Sequence, residues 1–276
     1  MNIKHLAILF LIFMISNSYG QRGIDIEIFG APVHSYRIYK SQNYIDPDLS
    51  YPIKGKDFFD KEFKTQTNDL EKPITGYSFG IKASHNLTDK ISWQTGLEYS
   101  TIGEKADYGL TPLYKKVDFN GTQTYMPSTE SYQLVMTYTY NYLSIPVSFK
   151  YKILAYKKIN IAPCFGVNFD FLLDKNVDNT SESNEISIAS KFDSEDHKYR
   201  TLTSAINIGL EFNYSITDKI QIYMLPNYKQ YFIPNERFNA EYHIIGGETY
   251  ILDKINKYNY LLGMNFGLRL RNIMPK

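Results

Sequence analysis

The chain has 276 residues, of which 43% are hydrophobic, 16% aromatic and 21% charged, enough apolar side chain to exclude a disordered or low-complexity protein. Lys and Arg together number 30 against 29 Asp and Glu. That balance leaves no basic excess for a phosphate backbone, so no nucleic-acid partner is expected. The single cysteine, Cys164, excludes an internal disulfide, and no CxxC or Cys/His cluster is present for structural zinc. No cofactor is expected.

The first element is an export signal. Lys4 precedes an apolar run, Leu6 to Ile15, and small residues at Ser18 and Gly20 stand before Gln21. A charged start, an apolar run far short of a bilayer span and a small-residue exit form a cleavable secretory signal peptide. Residues 1–20 are therefore expected to be removed and 21–276 to form one domain. The residue directly after the cleavage point is Gln21, not a cysteine, so no lipid anchor is expected. Losing Lys4 leaves 29 basic and 29 acidic residues, a neutral mature chain.

From Gln21 on, no helical period is sustained and alternation takes over. In chain order the alternating segments are Gly23 to Tyr36, Ile74 to Leu87, Ile91 to Gly103, Tyr138 to Ile153, Ile159 to Phe171, Leu202 to Ile216, Ile220 to Phe232 and Asn256 to Leu270. In Ile159 to Phe171, for example, Ile159, Ile161, Phe165, Val167, Phe169 and Phe171 alternate with small or polar residues, so one face is apolar.

Long connections follow the first, third, fifth and seventh segments, at roughly Tyr39 to Pro73, Glu104 to Thr137, Asp174 to Arg200 and Ile233 to Ile255. Short turns follow the second, fourth and sixth, and two of them are the same word, Thr88-Asp89-Lys90 and Thr217-Asp218-Lys219. With an even number of antiparallel strands, the termini and short turns share one end and the long loops the other. The expected fold is all-β: an eight-stranded antiparallel up-and-down transmembrane β-barrel, from about Ile24 to Leu270. Its four long loops would be external and its three short turns periplasmic.

The polar face decides between this barrel and a soluble one. It carries Gly76, Gly80, Gly96, Gly166, Gly209, Gly263 and Gly267, and glycine in strands lowers stability on a face that water could solvate freely. A crowded lumen has use for it. The same face carries Asp25, Glu27, Glu98, Asp170 and Glu211 with Lys82, Lys150, Lys229 and Arg269. Opposite charges can satisfy one another in a closed interior, so these nine are the candidate lumen charge network, structural in role. Trp93, two residues past a turn, suits an interfacial girdle. Pro146, Pro163 and Pro226 fall inside strands and should leave unpaired carbonyls or bulges without a register slip, since Leu143, Ile145, Val147 and Phe149 stay in phase.

Tyr142-Leu143-Ser144-Ile145-Pro146, with the following Pro163-Cys164-Phe165-Gly166, resembles a strand pair of the PorT-like outer-membrane β-barrel family of Bacteroidota. Gly96-Leu97-Glu98-Tyr99 and Gly263 to Leu268 are similar to other recurring words of that family. The resemblance implies an eight-stranded outer-membrane barrel, labelled porin-like or linked to protein secretion, and brings no catalytic residues. The chain departs from an aromatic C-terminus, ending Asn272-Ile273-Met274-Pro275-Lys276.

Two candidate chemistries are weaker. Asp174, Asn176, Asp178 and Glu185 follow part of the spacing of a calcium loop, but Asn179 replaces the turn glycine, and an acidic solvated loop is the expectation. His34, His197 and His243 map to the external end without a GxSxG or HExxH pattern, so no enzyme is expected. With eight strands, side chains about fill the lumen. The resulting reading is a non-enzymatic bacterial outer-membrane protein acting through its external loops, in surface recognition, a structural role or as an accessory to secretion. Its partners would be outer-membrane lipid and other envelope or secretion proteins. The alternative is a narrow porin-like channel or transporter for small solutes; an outer-membrane enzyme is the third reading.

Overall fold

β-Branched and aromatic residues alternating with small or polar ones favour a pleated, half-buried strand, and strand is what they form. A computed structural model describes residues 23–44, 71–119, 122–181, 198–243 and 249–271. Their strands are β1 (Ile24–Tyr44), β2 (Glu71–Pro73), β3 (Thr75–Asn86), β4 (Ile91–Phe119), β5 (Thr122–Tyr151), β6 (Leu154–Tyr156), β7 (Ile159–Ser181), β8 (Lys198–Tyr199), β9 (Leu202–Ser215), β10 (Ile220–Tyr231), β11 (Glu236–His243) and β12 (Thr249–Leu270). Residues 1–20, expected to be an export signal, Glu185, His197 and residues 272–276 lie outside the described residues.

Eight long strands pair antiparallel in the order β1, β3, β4, β5, β7, β9, β10, β12, and β12 pairs back on β1. The sheet is closed. Ile26 stands beside Ala83, Ala83 beside Thr95, Thr95 beside Val147, and Val147 beside Val167. Val167 stands beside Ile206, Ile206 beside Gln230, Gln230 beside Tyr260, and Tyr260 beside Tyr36. One circuit thus climbs from Ile26 to Tyr36, a stagger of about ten residues, which tilts the strands by roughly 40° in a barrel of this size.

The barrel is turned inside out. Ile28, Phe79, Leu97, Phe149, Phe165, Ile208 and Phe266 point outward and are about half exposed, whereas the charges of the opposite face are buried apart from the partly buried Glu98. The two Thr-Asp-Lys turns close identically. Thr88 Oγ1 accepts from the backbone N–H groups of Lys90 and Ile91 at 3.2 and 2.9 Å. Thr217 Oγ1 does the same for Lys219 and Ile220 at 3.2 and 3.1 Å. The third short connection is a small hairpin in which β6 folds onto β7, with Lys157 at φ 51° between them.

The long connections differ from the sequence reading in one respect. The stretch Glu104 to Thr137 is largely not loop, because the β4–β5 ladder continues from Glu104↔Tyr138 to Phe119↔Thr122, with irregularities between Asp107/Leu110 and Pro112/Tyr114. β7 likewise runs on to Ser181, and β11 forms an added hairpin with β12. Neither face of these extensions is apolar throughout, so period two fades from the sequence while backbone pairing persists.

The prolines behave as their chemistry requires. β4–β5 pairing skips from Thr95↔Val147 to Glu98↔Ser144 around Pro146, and β9–β10 pairing skips from Met224↔Phe212 to Asn227↔Gly209 around Pro226. In both cases the register resumes unshifted. Pro163 sits where β5 ends beside β7. Pro32, a fourth strand proline, interrupts β1–β12 pairing between Gly30↔Phe266 and Val33↔Gly263 in the same way.

Candidate functional site: a charged lumen

All nine charges expected on the inner face lie inside the barrel, but they form separate groups at different heights. Near the short turns, Lys150 Nζ lies 2.9 Å from Glu27 Oε1 and 2.5 Å from Glu211 Oε2. Arg269 closes the other side, its Nε 2.8 Å from Glu27 Oε1 and its Nη2 2.6 Å from Glu211 Oε1. Two cations and two carboxylates thus alternate around a neutral quartet, which offsets the desolvation each charge would suffer alone. Arg269 also donates from Nη1 to Asn213 Oδ1 at 2.9 Å and Gln221 Oε1 at 3.2 Å. The Tyr223 ring lies against both cations, 5.4 Å from the guanidinium carbon and 5.7 Å from Lys150 Nζ. Asp25 is buried at the same end, where it lines a cavity of about 470 Å³ together with Lys150, Glu211 and Arg269.

Higher up, Lys229 Nζ is 2.8 Å from Asp170 Oδ2. Neither atom meets hydrogen-bond geometry there, so the contact is Coulombic. Lys82 and Glu98 are 3.9 Å apart, and Lys82 Nζ also lies 4.0 Å from the centroid of the Phe29 ring. Asn168 pairs with Asn207, and Asn227 donates to Asn265 at 2.8 Å. The space left among these residues is about 40 Å³, room for little more than a water or two.

A third group, toward the long connections, is absent from the sequence reading. Glu104 Oε1 lies 2.6 Å from Arg37 Nη1 and 2.7 Å from Lys257 Nζ, and Lys257 reaches Glu236 at 2.5 Å. Tyr140 donates to Glu104 at 3.0 Å and accepts from Lys257 at 2.8 Å. Three of these residues had a signal: Arg37 is in phase with Asp25 and Glu27, Glu104 with Glu98, and Lys257 with Arg269. They fell just beyond, or at the start of, the segments whose apolar face was legible.

The acidic solvated loop expected from Asp174 is corrected by the backbone over its described part. Asp174 to Asp178 lies in β7, paired with β5, and an extended strand sends alternate side chains one way instead of wrapping them around an ion. Asn176 donates to Asp178 at 3.1 Å. No group of three or more His, Cys, Asp or Glu residues among the described residues could hold a metal ion. His34 is exposed at the last β1–β3 rung, where its Nδ1 is 3.3 Å from Thr75 Oγ1. His243 ends β11.

No family model and no curated protein matches the chain. Solved structures do. The outer membrane protein OprG from Pseudomonas aeruginosa is 10% identical, with 90% of this chain and 97% of that one covered at a TM-score of 0.42. A major outer membrane protein from Thermus thermophilus is 11% identical over 90% and 99%, TM-score 0.41. Neisserial surface protein A is 11% identical over 90% and 97%, TM-score 0.37.

Proposed function

We propose that the chain is an exported outer-membrane barrel that works from its long-loop end, as a non-enzymatic surface or secretion-accessory protein. The outward apolar band supports membrane embedding, because a continuous surface of that kind would drive aggregation in water. The signal segment and the resemblance of Tyr142 to Tyr151 to PorT-like barrels point the same way. The short turns then face the periplasm.

The observation that carries the functional reading is the closed lumen. Ion pairs fill the interior at three heights and the mid-height space is only about 40 Å³, so solutes meet a plug. Meanwhile β4 and β5 run for 29 and 30 residues, where about 9–11 span a bilayer. More than half of that hairpin projects outside, a two-stranded arm suited to gripping a protein of the envelope or secretion machinery. A narrow channel is the second reading, favoured by the 470 Å³ cavity at the short-turn end.

Single-channel recording of the purified barrel in a planar bilayer separates the two. The loop-acting reading expects silence. Steady conductance that changes in a Lys150→Ala, Lys229→Ala variant overturns it in favour of the channel.

A further inference from the structure

The β1–β3 ladder ends at His34↔Thr75, yet β1 runs on to Tyr44. On the other side of that seam stands β2, which pairs with β4 and, among the described residues, makes no ladder with β1. Backbone hydrogen bonds therefore do not seal the wall here. A cleft of about 440 Å³ occupies the gap, lined by Tyr36, Arg37, Ile38, Lys72, Tyr228 and Tyr260 among others, a volume in the range of small-molecule sites.

The outer lip of this cleft has two chemistries. On one side, Tyr36 stacks on Tyr260 with ring centroids 5.0 Å apart, and Tyr228 adds a third ring 6.2 Å from Tyr260. On the other, Lys72 lines the cleft and its direct cross-strand partner Lys105 stands next to it just outside the lining, both exposed, while Glu104 at the inner end of the cleft is held by Arg37 and Lys257. Like charges opposite one another on a sheet repel, and neither ammonium has an acidic partner among the described residues. The arrangement is unfavourable alone and becomes favourable once an anion bridges it. Tyrosine and lysine together at the edge of an apolar band mark the level of lipid headgroups.

We propose that this seam is a binding site for one lipid of the outer leaflet whose phosphate gives its headgroup a net negative charge. The phosphate bridges the Lys72 and Lys105 ammonium groups, and the apolar chain lies in the cleft against Tyr36, Tyr228 and Tyr260. A lipid is favoured over free phosphate because the cations share the lip with three aromatic rings that a bare phosphate would leave uncovered. Bound there, the lipid takes the place of the missing ladder between β1 and β2.

The test is native mass spectrometry of the full mature barrel in micelles doped with equal mole fractions of phosphatidic acid and phosphatidylcholine. Wild type should retain phosphatidic acid about tenfold over phosphatidylcholine, because phosphatidic acid brings a net negative charge to the two lysines whereas choline cancels that of the phosphate in phosphatidylcholine. Excess inorganic phosphate should not displace it. A Lys72→Gln, Lys105→Gln variant should lose the preference, while Lys157→Gln, Lys158→Gln in the short turn should keep it. Should the double variant lose its folded band on gels, Lys72→Gln alone, on a three-residue strand, carries the same test. Equal retention of the two lipids by wild type, a preference that survives loss of Lys72 and Lys105, equal losses from both lysine pairs, or displacement by inorganic phosphate would each overturn the proposal.

Discussion

Tyr223 lies across Gly267, with ring carbons 2.6 Å from where a Cβ on that glycine would sit. The two are cross-strand partners on β10 and β12, and Phe29, the partner of Gly267 on β1, similarly covers Gly80 at 2.9 Å. The missing side chains let two large rings lie flat inside a narrow lumen. Gly267→Val should cost about 2–3 kcal/mol, the range for overpacking against a fixed ring and backbone. Urea unfolding monitored by the heat-dependent gel shift of barrels reads this directly. An unchanged midpoint would mean that the ring moves aside freely.

Lys150 is shared by Glu27 and Glu211, so its removal leaves two buried carboxylates with Arg269 alone. Lys150→Met should destabilise the barrel by about 3 kcal/mol. Adding Glu211→Gln should recover a good part of that loss, because it restores one cation to one anion. A double variant no more stable than Lys150→Met would show that the quartet does not act as a unit.

Much of this architecture could be read from the sequence, and the boundary of legibility has a physical cause. Period two is visible only where one face is apolar and the other polar, so Ile159 to Phe171 and Leu202 to Ile216 were found with their faces assigned. Beyond Gly103 both faces become mixed, and the β4–β5 arm was read as loop although its backbone stays paired. The charges followed the same rule: Glu27, Lys150, Glu211 and Arg269 sit within the legible stretches. Arg37 lies one residue past one of them, Glu104 opens the arm, and Glu236 belongs to a strand that no apolar pattern announces. The pairing of charges across the lumen was not legible at all, since it depends on the stagger.

The arm should be dispensable for folding. Replacing residues 106–135 with a tight turn leaves the β4–β5 ladder from Ile91↔Tyr151 to Lys105↔Thr137 untouched, so the barrel should keep its heat-dependent gel shift and change in stability by no more than about 1 kcal/mol. Loss of the folded band would make the arm part of the barrel's core structure. In intact cells, trypsin should cut the arm and spare the Lys90 and Lys219 turns until the cells are permeabilised; the reverse order would invert the topology.

Thr88 and Thr217 each accept two backbone hydrogen bonds in matching turns. Thr88→Ala and Thr217→Ala should cost similar amounts, about 1 kcal/mol apiece, and should add when combined because the sites share no partner. Serine at either position should restore most of the loss. A large difference between the two sites, measured by the same unfolding assay, would show that the identical words do different jobs.

Arg269 donates to Glu27 across 242 positions of chain, from the last strand to the first. Until β12 arrives, Glu27 and Glu211 have only Lys150, and the interior carries surplus negative charge. A polypeptide cut short before its final strand therefore announces its incompleteness electrostatically as well as through an open edge. The last strand both seams the cylinder and brings this quartet into charge balance, so closure and the neutralisation of Glu27 and Glu211 are achieved in a single step.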